Sequence, residues 1–353
     1  MCALNKPDLS LRHLEAELAR IDVLIRREVR RWQLAGQDPG DAFRGLYVSD
    51  ADADMLAARP FGASGIAWLC LNRLIIQAYA DAQRRAERQV ELVLEAARSQ
   101  GQVLRLEHLC TAFGLDLFDR DTFLICVAVN LDLRYERLYG YLQDDVTRKR
   151  PSVDLMLNLL CQPGQGRLVM LSHFADQAPL FKHRLLEHVS EPGMGKPALL
   201  KQALSPDESI VAWLLGRYCP GPEFGARAAL VWPQENQEDR LLAAAVWPTL
   251  ARAAAERPII AFYGPDGVSQ RAAARLLAAH MQRPILTVDL GVVVDGELSA
   301  ADALTLTLRD ARLTGAIPYV VGWDACLTDG TPPPNLLAEL CAYPDLAIVG
   351  GRT

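Results

Sequence analysis

No uncharged apolar run opens the chain. Lys6, Asp8 and Arg12 interrupt its first apolar residues, so no secretory signal peptide is expected. The most apolar stretch, IAWLCLNRLIIQAYA at 66–80, carries Asn72 and Arg73 in its middle and is too short and too polar there to cross a bilayer. Paired cysteines are missing too. The eight cysteines (Cys2, Cys70, Cys110, Cys126, Cys161, Cys219, Cys326, Cys341) are scattered, mostly in apolar contexts, with no C-x-x-C among them. That pattern fits free thiols in a reducing compartment and speaks against a zinc cluster. The six histidines also lack ligand spacing: His183 and His188 stand five apart with Glu187 beside the second, and no metal site is expected. Nor is there an excess of positive charge. At a net charge of −6 the molecule as a whole is not built to coat nucleic acid or an acidic membrane. The expectation is a cytoplasmic protein without membrane insertion.

What is present is a globular composition, 50% hydrophobic and 23% charged, over 353 residues, enough for two or three domains. Between 9 and 35, Leu11, Leu14, Leu18, Ile21, Ile25, Val29 and Trp32 alternate at spacings of three and four and mark one face of a helix. The opposite face is Arg, Glu and Asp. The pattern reads as an amphipathic helix packed on the next domain, or as a coiled-coil contact with a partner over about three heptads. A Gly- and Asp-rich loop, LAGQDPGDAFRGLYVSDADADML, follows, then a helical pattern from about 64 to 100 that Gly101 ends. The charged second half of that pattern reads as a solvated face.

Short helices fill 102–190. LEHLCTAFG closes on Gly114, DRDTFLICVAVNLDLRYERLYGYLQDD continues, and RPSVDLMLNLLC begins with Ser152 as N-cap and Asp154 in the first turn. Turns and short extended pieces come next, which suits a winged-helix arrangement. The Gly-x-Gly-Lys of GMGKP (193–197) has no strand before it and Pro197 after it, so it reads as a turn in the wing. The basic run TRKRPS (147–152) precedes a helix apolar almost all round, VDLMLNLLC, which would be buried rather than read a groove. Asp144 and Asp145 also offset the run. Nucleic acid is therefore an improbable partner.

Clustered Gly and Pro over 216–240 read as a linker, or as the approach to a new domain. From Pro258 the texture changes to strands, PIIAFYG, PILTVDL, PYVVGW and LAIVGG, separated by helices near 268–282, 299–315 and 335–342. That alternation implies right-handed crossovers and a parallel sheet. The chain stops directly after the fourth strand, so a fragment of a longer protein is expected, with an unpaired edge near LAIVGG. The resulting division is 1–100 helical, 101–215 winged helix, 216–257 linker and 258–353 a partial α/β module.

In that module, IIAFYGPDGVSQRAAARLLAAH (259–280) stands where a P-loop, G-x-x-x-x-G-K-[ST], would pass from strand to helix. Gly264 and Gly267 supply part of the turn, and the helix that follows presents a positive N-terminus. Counting from Gly264 puts Ser269 at the second glycine, neutral Gln270 at the lysine and Arg271 at the hydroxyl. The candidate cofactor-binding residues are Gly264, Pro265, Asp266, Gly267, Val268, Ser269, Gln270 and Arg271, with Asp324 on the third strand. Hydrolysis wants an acidic pair there. In YVVGWDACL, a D-E-x-D register leaves Val321 and Gly322 at the two working acids, and taking Asp324 as metal ligand leaves Ala325 as the base. No catalytic residue is assigned.

The stretch FGLDLFDRDTFLICVAVNLDLRYERLYGYLQDDVTRKRPSVDLMLNLLC (113–161) resembles the winged-helix region that precedes the AAA+ modules of a bacterial ATPase family often associated with contractile injection systems. LDLRYERLYGYLQDD and TRKRPSVDL are its most specific parts, and the resemblance runs from about Gly45 to the end. It implies a mixed fold: a mainly α N-terminal half with a winged helix, followed by a partial α/β P-loop (AAA+-like) parallel sheet, the degenerate first module of the family. The whole protein would then be an ATP- and Mg²⁺-using remodelling ATPase, assembled as a homo-oligomeric, hexameric ring on a protein substrate. This chain would be its docking part and would bind ATP weakly or not at all. A non-enzymatic winged-helix adaptor binding protein or DNA is the alternative.

Overall fold

The three-and-four spacing near the N-terminus forms α1 (Leu9–Leu34), and Leu14, Ile21, Ile25 and Trp32 of its apolar stripe are buried. The structure, a computed structural model, describes residues 8–34, 71–162, 164–189, 197–232, 250–252, 259–293, 298–327 and 329–352, with Ala57 and Pro248. The loop at 35–56 and most of GMGKP lie outside these residues. The chain divides into two units, Met1–Leu215 and Gly216–Thr353.

In the first unit, α1 packs along α2 (Arg73–Ser99) and also meets α3 (Arg105–Phe113), α4 (Leu117–Leu131), α5 (Arg134–Leu142) and α6 (Val153–Leu160). Neighbours on several sides also bury its polar positions His13, Glu17, Arg20 and Glu28. Periodicity alone does not reveal this, because it reports where apolar residues point and not what covers the polar ones. By contrast, α2 buries only Val90 and Ala97, and its charged face is solvated. It ends in a Schellman turn, with Gln102 N–H donating to Ala97 O (3.0 Å) and Gly101 N–H to Arg98 O (3.1 Å), and Gly101 taking the positive φ this motif needs.

The run DRDTFLICVAVNLDLRYERLYGYLQDD forms two helices, α4 and α5, broken at Asp132 and Leu133. A capping box between Asp116 and Asp119 starts α4, whose residues from Thr122 to Ala128 are all buried: it is a core helix. Ser152 does cap α6, its hydroxyl accepting from Leu155 N–H (3.3 Å), and α6 is buried as its composition requires. Next come α7 (Gln165–Met170), α8 (Pro179–Lys182), β1 (Leu186–Val189), β2 (Ala203–Pro206) and α9 (Glu208–Leu214). The strands β1 and β2 form an antiparallel hairpin from Leu186↔Pro206 to Val189↔Ala203, and Ser152 bridges Ala203. Helices closed by a short hairpin, with a third extended residue on its edge, make the winged helix.

The second unit is a five-stranded sheet. Its strands are β3 (Ala228–Val231), β4 (Ile259–Tyr263), β5 (Ile285–Asp289), β6 (Ile317–Val321) and β7 (Ala347–Gly351), in the order β3-β5-β6-β7-β4. The helices are α10 (Gly267–His280) after β4, α11 (Leu290–Val293) and α12 (Ala300–Thr314) after β5, and α13 (Pro334–Ala342) after β6. Alternate strand residues face opposite layers. Ile260, Ile285, Ile317 and Ile348 pack with Ala274, Leu277 and Ala278 of α10. Leu286, Val288, Val320 and Val349 pack with Leu304, Leu308 and Leu336 on the α12 and α13 side.

Two expectations are corrected here. The sheet is mixed rather than parallel, because β3, lying within the stretch read as linker, runs antiparallel to β5. Its four residues are too short a run to stand out among clustered Gly and Pro. The unpaired edge is also not LAIVGG: β7 lies inside, parallel to both β6 and β4. Among the described residues the outer strands are β3 and β4, since the chain order 4-5-6-7 returns the last strand beside the first.

Candidate functional site

From β4 the chain crosses to β5 and then steps back through β6 and β7 toward β4, with α10 on one face and α12 and α13 on the other. The order reverses between β4 and β7. In open α/β sheets a ligand crevice forms at the carboxyl ends of the strands at such a point. Those ends carry Tyr263–Gly264 and Gly350–Gly351, so the residues marked out in the sequence do gather there.

Gly264 adopts φ +130, a conformation that favours glycine. The turn is short, however. Asp266 is already the N-cap and α10 starts at Gly267. Asp266 Oδ1 accepts from Val268 N–H (3.0 Å) and Ser269 N–H (3.2 Å), and the Ser269 hydroxyl donates to Oδ2. These bonds from Ser269, then from Val268, hold the fully exposed Asp266 carboxyl below its usual range. The free N–H groups of a helix N-terminus are what binds a phosphate. Here an internal carboxylate takes them.

Gln270 lies beside this turn. Its side-chain amide donates to Gly264 O (3.0 Å) and to Gly351 O (3.0 Å), tying the turn after β4 to the end of β7. A side chain at Gly350 would meet Gln270 Oε1 at 3.0 Å and Tyr319 Oη at 3.1 Å, so both Gln270 and Tyr319 press on that backbone. Tyr319 Oη is buried with no hydrogen-bond partner among the described residues, and burial raises its pKa. Arg271 and Pro265 are exposed on the rim, as is Val268.

Asp324 sits in the 3₁₀ turn Trp323–Cys326 beyond β6, and its Oδ2 accepts from Arg352 N–H (2.6 Å). Sequence reasoning missed Asp289, at the end of β5, whose Oδ1 accepts from Gly291 N–H (3.0 Å). The signal was a carboxylate closing a strand, visible in PILTVDL. The three acids at this end of the sheet, Asp266, Asp289 and Asp324, are each bonded to backbone N–H groups. Asp266 and Asp289 hold the backbone at the start of the helices that follow β4 and β5, and Asp324 holds the backbone beyond β7.

In the first unit, α8 is the helix directly before the wing hairpin. It has four residues, of which Leu180 and Phe181 are buried. Two residues of the basic run have acidic neighbours: Arg148 Nε lies 3.3 Å from Asp145 Oδ2 and Lys149 Nζ lies 3.4 Å from Glu136 Oε2. Burial pushes the half-buried Cys110 thiol up to about 12. No helix of the described residues is long and apolar enough to cross a membrane.

No curated protein matches the chain. A family model described as "Winged helix domain, variant" matches residues 8–220, more than half of the chain and the whole of the hairpin-bearing arrangement above. The chain belongs to the winged helix domain, variant, family.

Proposed function

We propose that this chain is the docking part of an AAA+ ATPase, working in a cytoplasmic ring on a protein substrate, and that its second unit is a nucleotide module that no longer holds or hydrolyses ATP. The strand order, with a strand–turn–helix at the reversal point, supports a P-loop ancestry. The observation that carries the rest is the filled crevice: Asp266 occupies the helix N–H groups and Gln270 bridges Gly264 O and Gly351 O. With no lysine, a closed turn and three backbone-bound acids, a Mg²⁺·triphosphate has neither a cradle nor a counter-charge. A fluorescent ATP analogue titrated with Mg²⁺ into the full chain is expected to give no saturable binding up to millimolar concentration. Saturable, Mg²⁺-dependent binding in the micromolar range would overturn the reading of the crevice.

The winged helix serves as a protein-docking platform on this reading. A duplex reader needs side chains projecting from a helix into the major groove. The four-residue α8 turns two of its residues inward, and the nearby Arg148 and Lys149 have acidic neighbours. A labelled duplex titrated at about 50 and 200 mM salt should bind weakly, with little change between the two. A fall in affinity of a hundredfold or more between them would favour the adaptor that binds DNA.

A further inference from the structure

His13 on α1 has a side chain with 0% exposure, and neither of its ring nitrogens meets a hydrogen-bond partner among the described residues. A buried polar group in that state calls for a water or an ion to complete it. Its Nε2 faces two carboxylate oxygens: Glu17 Oε1 at 3.8 Å, one helical turn on, and Glu107 Oε1 at 3.7 Å, from the first turn of α3. All three atoms lie within 4.8 Å of one another. Ligands about 2.0–2.1 Å from a tetrahedral zinc stand roughly 3.3 Å apart, so small side-chain rotations would close the set.

The surroundings favour this arrangement. Arg20 Nε holds Glu17 Oε2 at 2.7 Å, leaving Oε1 turned toward His13. Arg20 is itself held by Asp121 of α4. Arg120, also on α4, places Nη1 3.3 Å from both Glu17 Oε1 and Glu107 Oε1. Two adjacent carboxylate oxygens need a positive charge, and this guanidinium supplies it loosely, from a side chain 21% exposed and therefore with a way out to solvent. Burial lowers the His13 pKa, and Arg120 and Arg20 lower it further against the opposing pull of Glu17 and Glu107.

We propose that His13, Glu17 and Glu107 form a binding site for a divalent first-row metal ion of the zinc type, which displaces the Arg120 guanidinium and clamps α1 to α3. Spacing among histidines alone missed it, since two ligands are carboxylates and one comes from a distant helix. The full chain, freed of metal with a chelator, would be titrated with zinc chloride by calorimetry. One saturable site is expected, weakened tenfold or more by Glu107→Gln, whose side chain is 38% exposed and whose loss the fold should tolerate. Arg120→Gln should tighten binding and increase the rise in Tm on adding zinc, because it removes the competing cation. The second His–carboxylate cluster, where His173 Nδ1 already bonds Asp119 Oδ1 at 2.8 Å, provides the control: His173→Ala should leave binding unchanged. Absence of saturable zinc binding would overturn the site, as would binding that survives Glu107→Gln. Weaker binding in Arg120→Gln would overturn the exchange with the guanidinium.

Discussion

Arg20→Ala is expected to destabilise the first unit by about 3–5 kcal/mol, the usual cost of removing one partner from a buried ion pair. Arg20 lies between two carboxylates in the middle of the helical core. Its Nε bonds Glu17 Oε2 (2.7 Å), Nη1 bonds Asp121 Oδ2 (3.0 Å), and Nη2 reaches Asp121 Oδ1. The exposures are 7% for Arg20, 0% for Glu17 and 8% for Asp121, so water does not screen the arrangement. Burial alone would lower the Arg20 pKa, yet the hydrogen bonds and charges of Asp121 and Glu17 raise it overall. Alanine would leave Asp121 desolvated without its counter-charge and Glu17 with only the looser Arg120, which costs more than the pair itself contributes. Hydrogen exchange read on peptides of α1 and α4 measures the effect in the first unit specifically. Protection should fall by about two to four orders of magnitude, since about 1.4 kcal/mol is a factor of ten. A change under about 1 kcal/mol, in the range of ordinary surface substitutions, would mean that water enters and completes the carboxylates. Replacing Glu17, Arg20 and Asp121 together by apolar residues of similar volume should recover most of the loss.

The same network marks where sequence reading stops. The stripe Leu14, Ile21, Ile25 and Trp32 was legible on α1 because periodicity reports the apolar face directly. The burial of His13, Glu17, Arg20 and Glu28 was not, because it depends on α3, α4 and α6 closing over the other face. Local chemistry read well: Gly101 and Gly114 end their helices at positive φ and Ser152 caps α6, each through bonds made within a few residues. Strand identity for β4 to β7 read well too, but strand order did not. The edge was placed at LAIVGG by position in the chain, whereas sheet position follows from where the crossovers lead. In the candidate site, the missing lysine and acids were visible one by one. The bonds that replace them were not, since Gln270 reaches a strand 81 residues away.

Gly322→Asp would test how deeply that site has been closed. It restores an acid at one of the two positions that hydrolysis requires, and it should fail twice. Gly322 has φ +72, where a side chain is strained. A Cβ there would lie 2.8 Å from Gly291 N, 3.2 Å from Gly291 Cα and 2.9 Å from Asp289 Oδ1. The first two are backbone atoms at the start of α11, which cannot rotate away, and the third is a carboxylate that repels the incoming charge. Left-handed strain and overpacking together should cost the second unit about 2–5 kcal/mol, seen as lost exchange protection in β5 and β6. Adding Gln270→Lys supplies the missing cation but severs the bonds to Gly264 O and Gly351 O, so the double variant should gain no ATP hydrolysis. A variant that folds with wild-type stability and hydrolyses ATP would show that only two side chains separate this crevice from a working site. The backbone contact at Gly291 predicts the opposite: the strand end has closed onto its neighbour, and side-chain changes alone do not reopen it.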